Sequence, residues 1–187
     1  MSGRWNRPYA MKLRKINDDV YYADDAVVRW GPQEIEFVRR RAAESPRRRA
    51  RICGHRDPAD RLHEMIIGLD RRGYVQPHKH RDRAESFHVF AGSADVVIFD
   101  DAGTVRDVVS LGDGPTDLSY YRLNTSTFHT VLVRSPTFVV HETTLGPFDT
   151  GDTEFASWAP KEGAAEAIAA FLERVEREVA EVGRERE

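Results

Sequence analysis

The chain of 187 residues has a single cysteine, Cys53, so no intrachain disulfide can form and a reducing compartment is expected. A small packed thiol is the expected role for Cys53, in preference to a nucleophile. No apolar run approaches the roughly 18 residues needed to cross a bilayer, and the opening MSGRWNRPYA lacks the apolar stretch of a signal peptide. A cytoplasmic protein without membrane insertion is therefore expected. Charge of one sign is also missing. The 28 basic and 31 acidic residues leave a net charge of −3, so no overall field draws the chain to nucleic acid, and no DNA-binding segment stands out. No internal repeat is evident. What remains is one sizeable core with additions, in a single domain whose partners must be read from local features.

The texture changes along the chain. Residues 1–31 are polar with scattered aromatics (Trp5, Tyr9, Tyr21, Tyr22 and Trp30) and read as an arm covering the core, with possible short strands at Val20–Ala23 and Val27–Trp30. After Gly31 and Pro32, the residues Ile35, Val38 and Ala42 recur at helical spacing until Ser45 and Pro46 stop the run. From Leu62 to Leu145, short apolar or alternating runs separated by Gly, Pro and Asp turns predict eight strands near 62–69, 74–80, 86–91, 94–100, 104–111, 118–123, 128–134 and 137–144. Such strands build an all-β sandwich or barrel. A last amphipathic helix over about 161–182 carries an apolar stripe of Ile168, Phe171, Leu172, Val175, Val179 and Val182. The stripe packs on the outside of the sheet or joins two copies in a homodimer. The expected organisation is an N-terminal arm and Arg-rich helix over 1–50, a barrel over 51–147, and a C-terminal loop and helix over 148–187.

Histidines carry the functional signal. His78 and His80 are two apart, so on one strand both imidazoles point to the same face, and Glu85 follows at the start of the next run, where a hairpin folds it back. With 7 histidines, a His-x-His pair arises by chance roughly 0.3 times in such a chain, so the weight rests on the pair together with Glu85, Gly92 and His129. Three imidazoles and a carboxylate form a donor set for one divalent transition-metal ion, Zn, Fe, Ni, Mn or Cu. If that ion is six-coordinate, four protein donors leave two positions for a ligand, and such an ion can polarise a hydroxy-carbonyl group or, as Fe(II), activate oxygen. Strand parity adds Tyr74 and Gln76 as substrate contacts, and His63 could border the same space; His88 has the opposite parity and faces away. The one dense charge cluster, Arg39 to Arg51, offers Arg47, Arg48 and Arg49 as an anion contact, with a solvated surface as the alternative.

The run Gly73-Tyr-Val-Gln-Pro-His78-Lys-His80, followed by Glu85 and Gly92, resembles the first motif of the cupin superfamily, and Tyr121 to Val131 around His129 resembles the second. Asn124 and Ser126 replace the second motif's Pro and Gly, and His141 on a neighbouring strand is an alternative fourth ligand. Within cupins, SPRRRARI (45–52), FHVFAGSADVVIFDD (87–101) and GPFD…FASWAPKEG (146–163) look like the WbuC-type metalloproteins. The resemblance implies a double-stranded β-helix (cupin jelly roll) with an N-terminal helix and arm and a C-terminal helix. It also implies binding of, or action on, a sugar-type metabolite in bacterial surface-polysaccharide synthesis. Isomerase or epimerase chemistry, an Fe(II) dioxygenase, and a non-catalytic metal-stabilised ligand-binding module remain open.

Overall fold

The computed structural model describes residues 11–184; Trp5 and Tyr9 of the expected arm lie outside the described residues. The elements run β1 (Leu13–Lys15), β2 (Val20–Ala23), α1 (Pro32–Glu44), β3 (Arg49–Cys53), β4 (Leu62–Asp70), β5 (His78–His80), β6 (Glu85–Ala91) and β7 (Ala94–Phe99). They continue with β8 (Val105–Leu111), β9 (Tyr120–Leu123), β10 (His129–Val133), β11 (Thr137–Leu145), β12 (Thr153–Phe155) and α2 (Ala165–Arg184). All eight strands expected between 62 and 145 are present.

Two sheets stack face to face. The larger has the order β1-β2-β3-β4-β11-β6-β9 and the smaller β12-β5-β10-β7-β8. Strands β4 to β11 thus form two four-stranded halves, β4-β11-β6-β9 against β5-β10-β7-β8, which is the strand order of a double-sheet jelly roll. Alternation explains which residues fill it. On β11, Phe138 and Val140 point between the sheets with Leu69, Phe87, Val96 and Val131, whereas Val139 points out. On β7, Val96 faces the inner core and Val97 the outer one, which is why the strand reads as one continuous apolar run.

Each outer face carries a helix. The stripe of α2 packs through Phe171 and Val175 onto Val97, Phe99 and Val105 of the smaller sheet. Burial of each of these two side chains contributes about 1.5–3 kcal/mol. On the other side α1 lays Val38 against Ile52, Ile66 and Val139. Gly68 of β4 permits that approach, since a Cβ there would stand 2.7 Å from the Val38 carbonyl oxygen. Among the described residues no helix is long and apolar enough to cross a membrane.

The N-terminal segment differs from expectation. Val20–Ala23 is a strand, but Val27–Trp30 is not, and β1 and β2 extend the edge of the larger sheet through β3 instead of draping over the core. The Arg-rich stretch before Cys53 is itself strand β3, paired with β4 by Ile52 opposite Ile66. Arg49 and Arg51 alternate there with buried Ala50 and Ile52, so two arginines turn toward the inside of the sandwich. Dense charge masked this strand in the sequence.

Candidate metal centre

Strand β5 is three residues long, and its period of two places His78 and His80 on the inner face of the smaller sheet. His129 opens β10 directly opposite His78 in the antiparallel register. Glu85 opens β6 in the facing sheet. The imidazole nitrogens of His78, His80 and His129 lie within 4.8 Å of one another and could hold a metal ion. Glu85 closes the group from across the sandwich, its Oε1 2.9 Å from His129 Nε2 and its Oε2 3.3 Å from His80 Nε2.

The outer nitrogens of the three rings are all engaged. His78 Nδ1 donates to the Gln76 carbonyl oxygen at 2.9 Å and His129 Nδ1 to the Thr127 carbonyl oxygen at 3.0 Å. His80 Nδ1 meets the Thr153 hydroxyl at 3.2 Å. A carbonyl can only accept, so the neutral rings of His78 and His129 carry their proton on Nδ1 and turn the Nε2 lone pair to the centre, as metal-bound histidines do. Glu85 Oε1 is buried and has no aligned hydrogen bond despite its proximity to His129 Nε2. Nitrogen and oxygen lone pairs facing one another in a buried space are what a shared cation satisfies, so these residues fit a divalent metal.

The electrostatics agree with this geometry. Burial opposes the charge on Glu85, but the nearby charges of His129 and His80 outweigh it and hold the carboxyl well below its usual range. Burial likewise opposes protonation of His129, and Glu85 overcomes it, raising the imidazole above 6.5. His78 is pushed down to about 4 by burial and by the neighbouring His129. Behind the cluster Glu142 is pushed up to about 7 by burial, reinforced by the charge of Glu85 and opposed by Arg51.

The cluster borders a cavity of about 380 Å³ between the sheets, which is within the range of small-molecule sites. Gln76 and His63 line it, as does Phe87. Tyr74 does not. Its hydroxyl donates to the Pro160 carbonyl oxygen at 2.9 Å and its ring meets Phe171 under α2. Strand parity fails for Tyr74 because β5 begins only at His78. Arg47 and Arg49 line the rim and share the Glu162 carboxylate. Arg48 is turned away by a positive φ of 56° and donates to the Ala43 carbonyl oxygen. His141 points to the outer face, near Trp30 and Phe90, with Nε2 3.6 Å from Glu64. The fourth donor near the cluster is therefore His129. His88 is exposed, as its parity implied.

Several cavity residues carried no assigned role in the sequence. Glu142 shares the inner face of β11 with Val140, a placement that alternation gives once Val140 is known to point inward. Arg51 was hidden among its charged neighbours, and His55 in a polar loop. Cys53 is buried and its thiol pushed up to about 11 by burial, the protonated, packed state expected for it.

A domain family described as a domain of unknown function, DUF6016, matches residues 32–111. The match runs from α1 to the end of β8 and takes in His78, His80 and Glu85, but not His129. No curated protein matches the chain significantly. Among solved structures, a protein of Shewanella oneidensis is 11% identical with a TM-score of 0.46, covering 56% of this chain and 72% of its own. Oxalate decarboxylase from Bacillus subtilis is 20% identical with a TM-score of 0.44; the likeness covers 60% of this chain but only 28% of the decarboxylase. A cupin superfamily protein of Desulfitobacterium hafniense is 11% identical with a TM-score of 0.41, covering 52% of this chain and 76% of its own. The strand order of the two sheets, not these distant likenesses, carries the fold assignment. It is a double-sheet jelly roll.

Proposed function

We propose that this cupin-fold protein holds one divalent transition-metal ion, Zn, Fe, Ni or Mn, on His78, His80, His129 and Glu85. The ion faces a small oxygen-rich ligand in the adjoining cavity. The observation that carries this reading is the convergence of three imidazoles beside a buried carboxylate, whose Oε1 lies 2.9 Å from His129 Nε2 without an aligned hydrogen bond and whose Oε2 lies 3.3 Å from His80 Nε2, next to a cavity of about 380 Å³. A divalent ion at that position supplies Lewis acidity toward hydroxyl and carbonyl oxygens. The chain's own residues hold the ligand. Gln76 offers an amide, and Phe148 and Phe155 line the cavity while 51% and 57% exposed, offering apolar faces to a ring. A sugar-type metabolite has both kinds of surface. The sequence resemblance to WbuC-type proteins supports a metabolite of bacterial surface-polysaccharide synthesis as that ligand.

Elemental analysis of protein purified without added metal tests the reading. About one equivalent of a first-row divalent ion is expected in the wild type, and a loss of at least tenfold in His78→Ala, because removal of one ligand weakens binding at least as much as loss of a supporting contact. Full retention of the ion by His78→Ala would remove these residues as its ligands.

A further inference from the structure

The cavity has a second polar end, away from the histidine cluster. Among the described residues, six buried side-chain polar atoms have no hydrogen-bond partner, and three of them belong to residues lining this one cavity: Glu85 Oε1, Arg51 Nε and His63 Nε2. The first belongs to the metal centre. The other two have no protein group to explain them, and unmatched buried donors are rare because desolvating them is costly.

Arg51 differs from the other arginines around the cavity. Arg47 and Arg49 are held by Glu162, and Arg83 by Asp152. The guanidinium of Arg51 has neither a hydrogen bond nor an ion pair with any described residue. Glu142 feels its charge without coming within ion-pair reach. Tyr22, Cys53 and His55 also lie near enough to feel its charge. His63 is 4% exposed and stacked on His55, with ring centroids 4.0 Å apart and planes 4° from parallel. That stacking fixes the plane in which His63 Nε2 presents its hydrogen in the Nε2–H tautomer. A free guanidinium fork, with a buried imidazole lining the same cavity that is a donor in its Nε2–H tautomer, matches an oxyanion.

We infer that the cavity takes an anionic metabolite, whose carboxylate or phosphate group sits on Arg51 and His63 while its hydroxyl or carbonyl oxygens reach the histidine cluster. This names the ligand class of the site proposed above and rests on the reading that the cavity binds a ligand beside the metal. The strands that supply Arg51 and its surroundings, β2 and β3, lie outside the eight of the jelly roll. They extend the larger sheet and place a positive charge that the eight-stranded core lacks at that end.

The test is calorimetric titration with D-glucuronate, D-glucose 6-phosphate and neutral D-glucose, each against zinc-loaded and chelator-treated protein. At least one charged sugar should bind the zinc-loaded wild type at least tenfold more tightly than glucose, and the two charged probes separate carboxylate from phosphate. Arg51→Gln should remove that preference with its zinc content unchanged. His63→Gln should weaken it as well, which keeps the test open if Arg51→Gln fails to fold. Arg40→Gln makes the same charge change on the exposed face of α1 and should alter nothing. The inference is overturned if neither charged sugar outbinds glucose, or if a folded Arg51→Gln or His63→Gln variant keeps the full preference. Zinc content decides the metal reading separately. A preference for the charged sugar in protein that binds no zinc would leave the anion end standing and remove the metal centre.

Discussion

His129→Ala is expected to lose the metal and to destabilise even the metal-free protein by about 3–5 kcal/mol, the cost of leaving one member of a buried ion pair without its partner. Glu85 is 3% exposed and faces His129 Nε2 at 2.9 Å, so removing the imidazole strands a carboxylate in the core. The loss should fall toward the lower end of that range, because His80 Nε2 still stands 3.3 Å from Oε2. Adding Glu85→Gln removes the stranded charge while keeping a similar shape. The double variant should therefore regain part of the lost stability without regaining the metal. Urea unfolding in chelator, with the slope unchanged across the series, measures both effects. A double variant less stable than His129→Ala would show that the carboxylate is not balanced by this histidine.

Metal affinity is expected to fall at least tenfold for each unit of pH lowered from about 6.5 to about 5, because each ion must displace the proton that Glu85 holds on His129. His129 is raised above its ordinary 6.5, so it is charged across this range in the metal-free protein. His78, pushed down to about 4, stays neutral there and releases no proton. The metal-free protein has the opposite preference. The raised His129 contributes stability that is fully present below 6.5 and lost as pH rises through its higher folded value. The depressed Glu85 contributes stability present above 4.5 and lost as pH falls through its lower folded value. These are two sides of one contact, which is intact between those limits. The melting temperatures of loaded and metal-free protein should therefore draw apart as pH rises from about 5 through the raised folded value of His129. Titration calorimetry in buffers of different ionisation heat counts the protons released. An affinity that stays level across the range would mean that His129 is not displaced from its proton.

Much of the jelly roll was legible because its strands alternate. Parity placed His78 and His80 on one face and sent His88 outward. The distant partner was harder, since nothing local links His129 to His78. Only the register of β10 against β5 makes them neighbours, and the same topology turns His141 to the opposite face. Parity failed at Tyr74, where it was carried past the end of a strand across Pro77. Alternation also runs through 49–53, but arginines at alternate positions there read as a solvated cluster although Ala50 and Ile52 between them are buried. Strand β12 gave no signal either. Three residues after a loop have too little pattern, yet β12 covers the edge of β5 and supplies Thr153 to His80.

An anomalous difference map from crystals of the native protein, recorded at the absorption edge of the metal found by elemental analysis, tests the centre most directly. One peak is predicted, at about 2.0–2.3 Å from Nε2 of His78, His80 and His129 and facing the Glu85 carboxylate. A metal-containing protein whose peak lies elsewhere, or whose three imidazoles diverge around an empty centre, would contradict it.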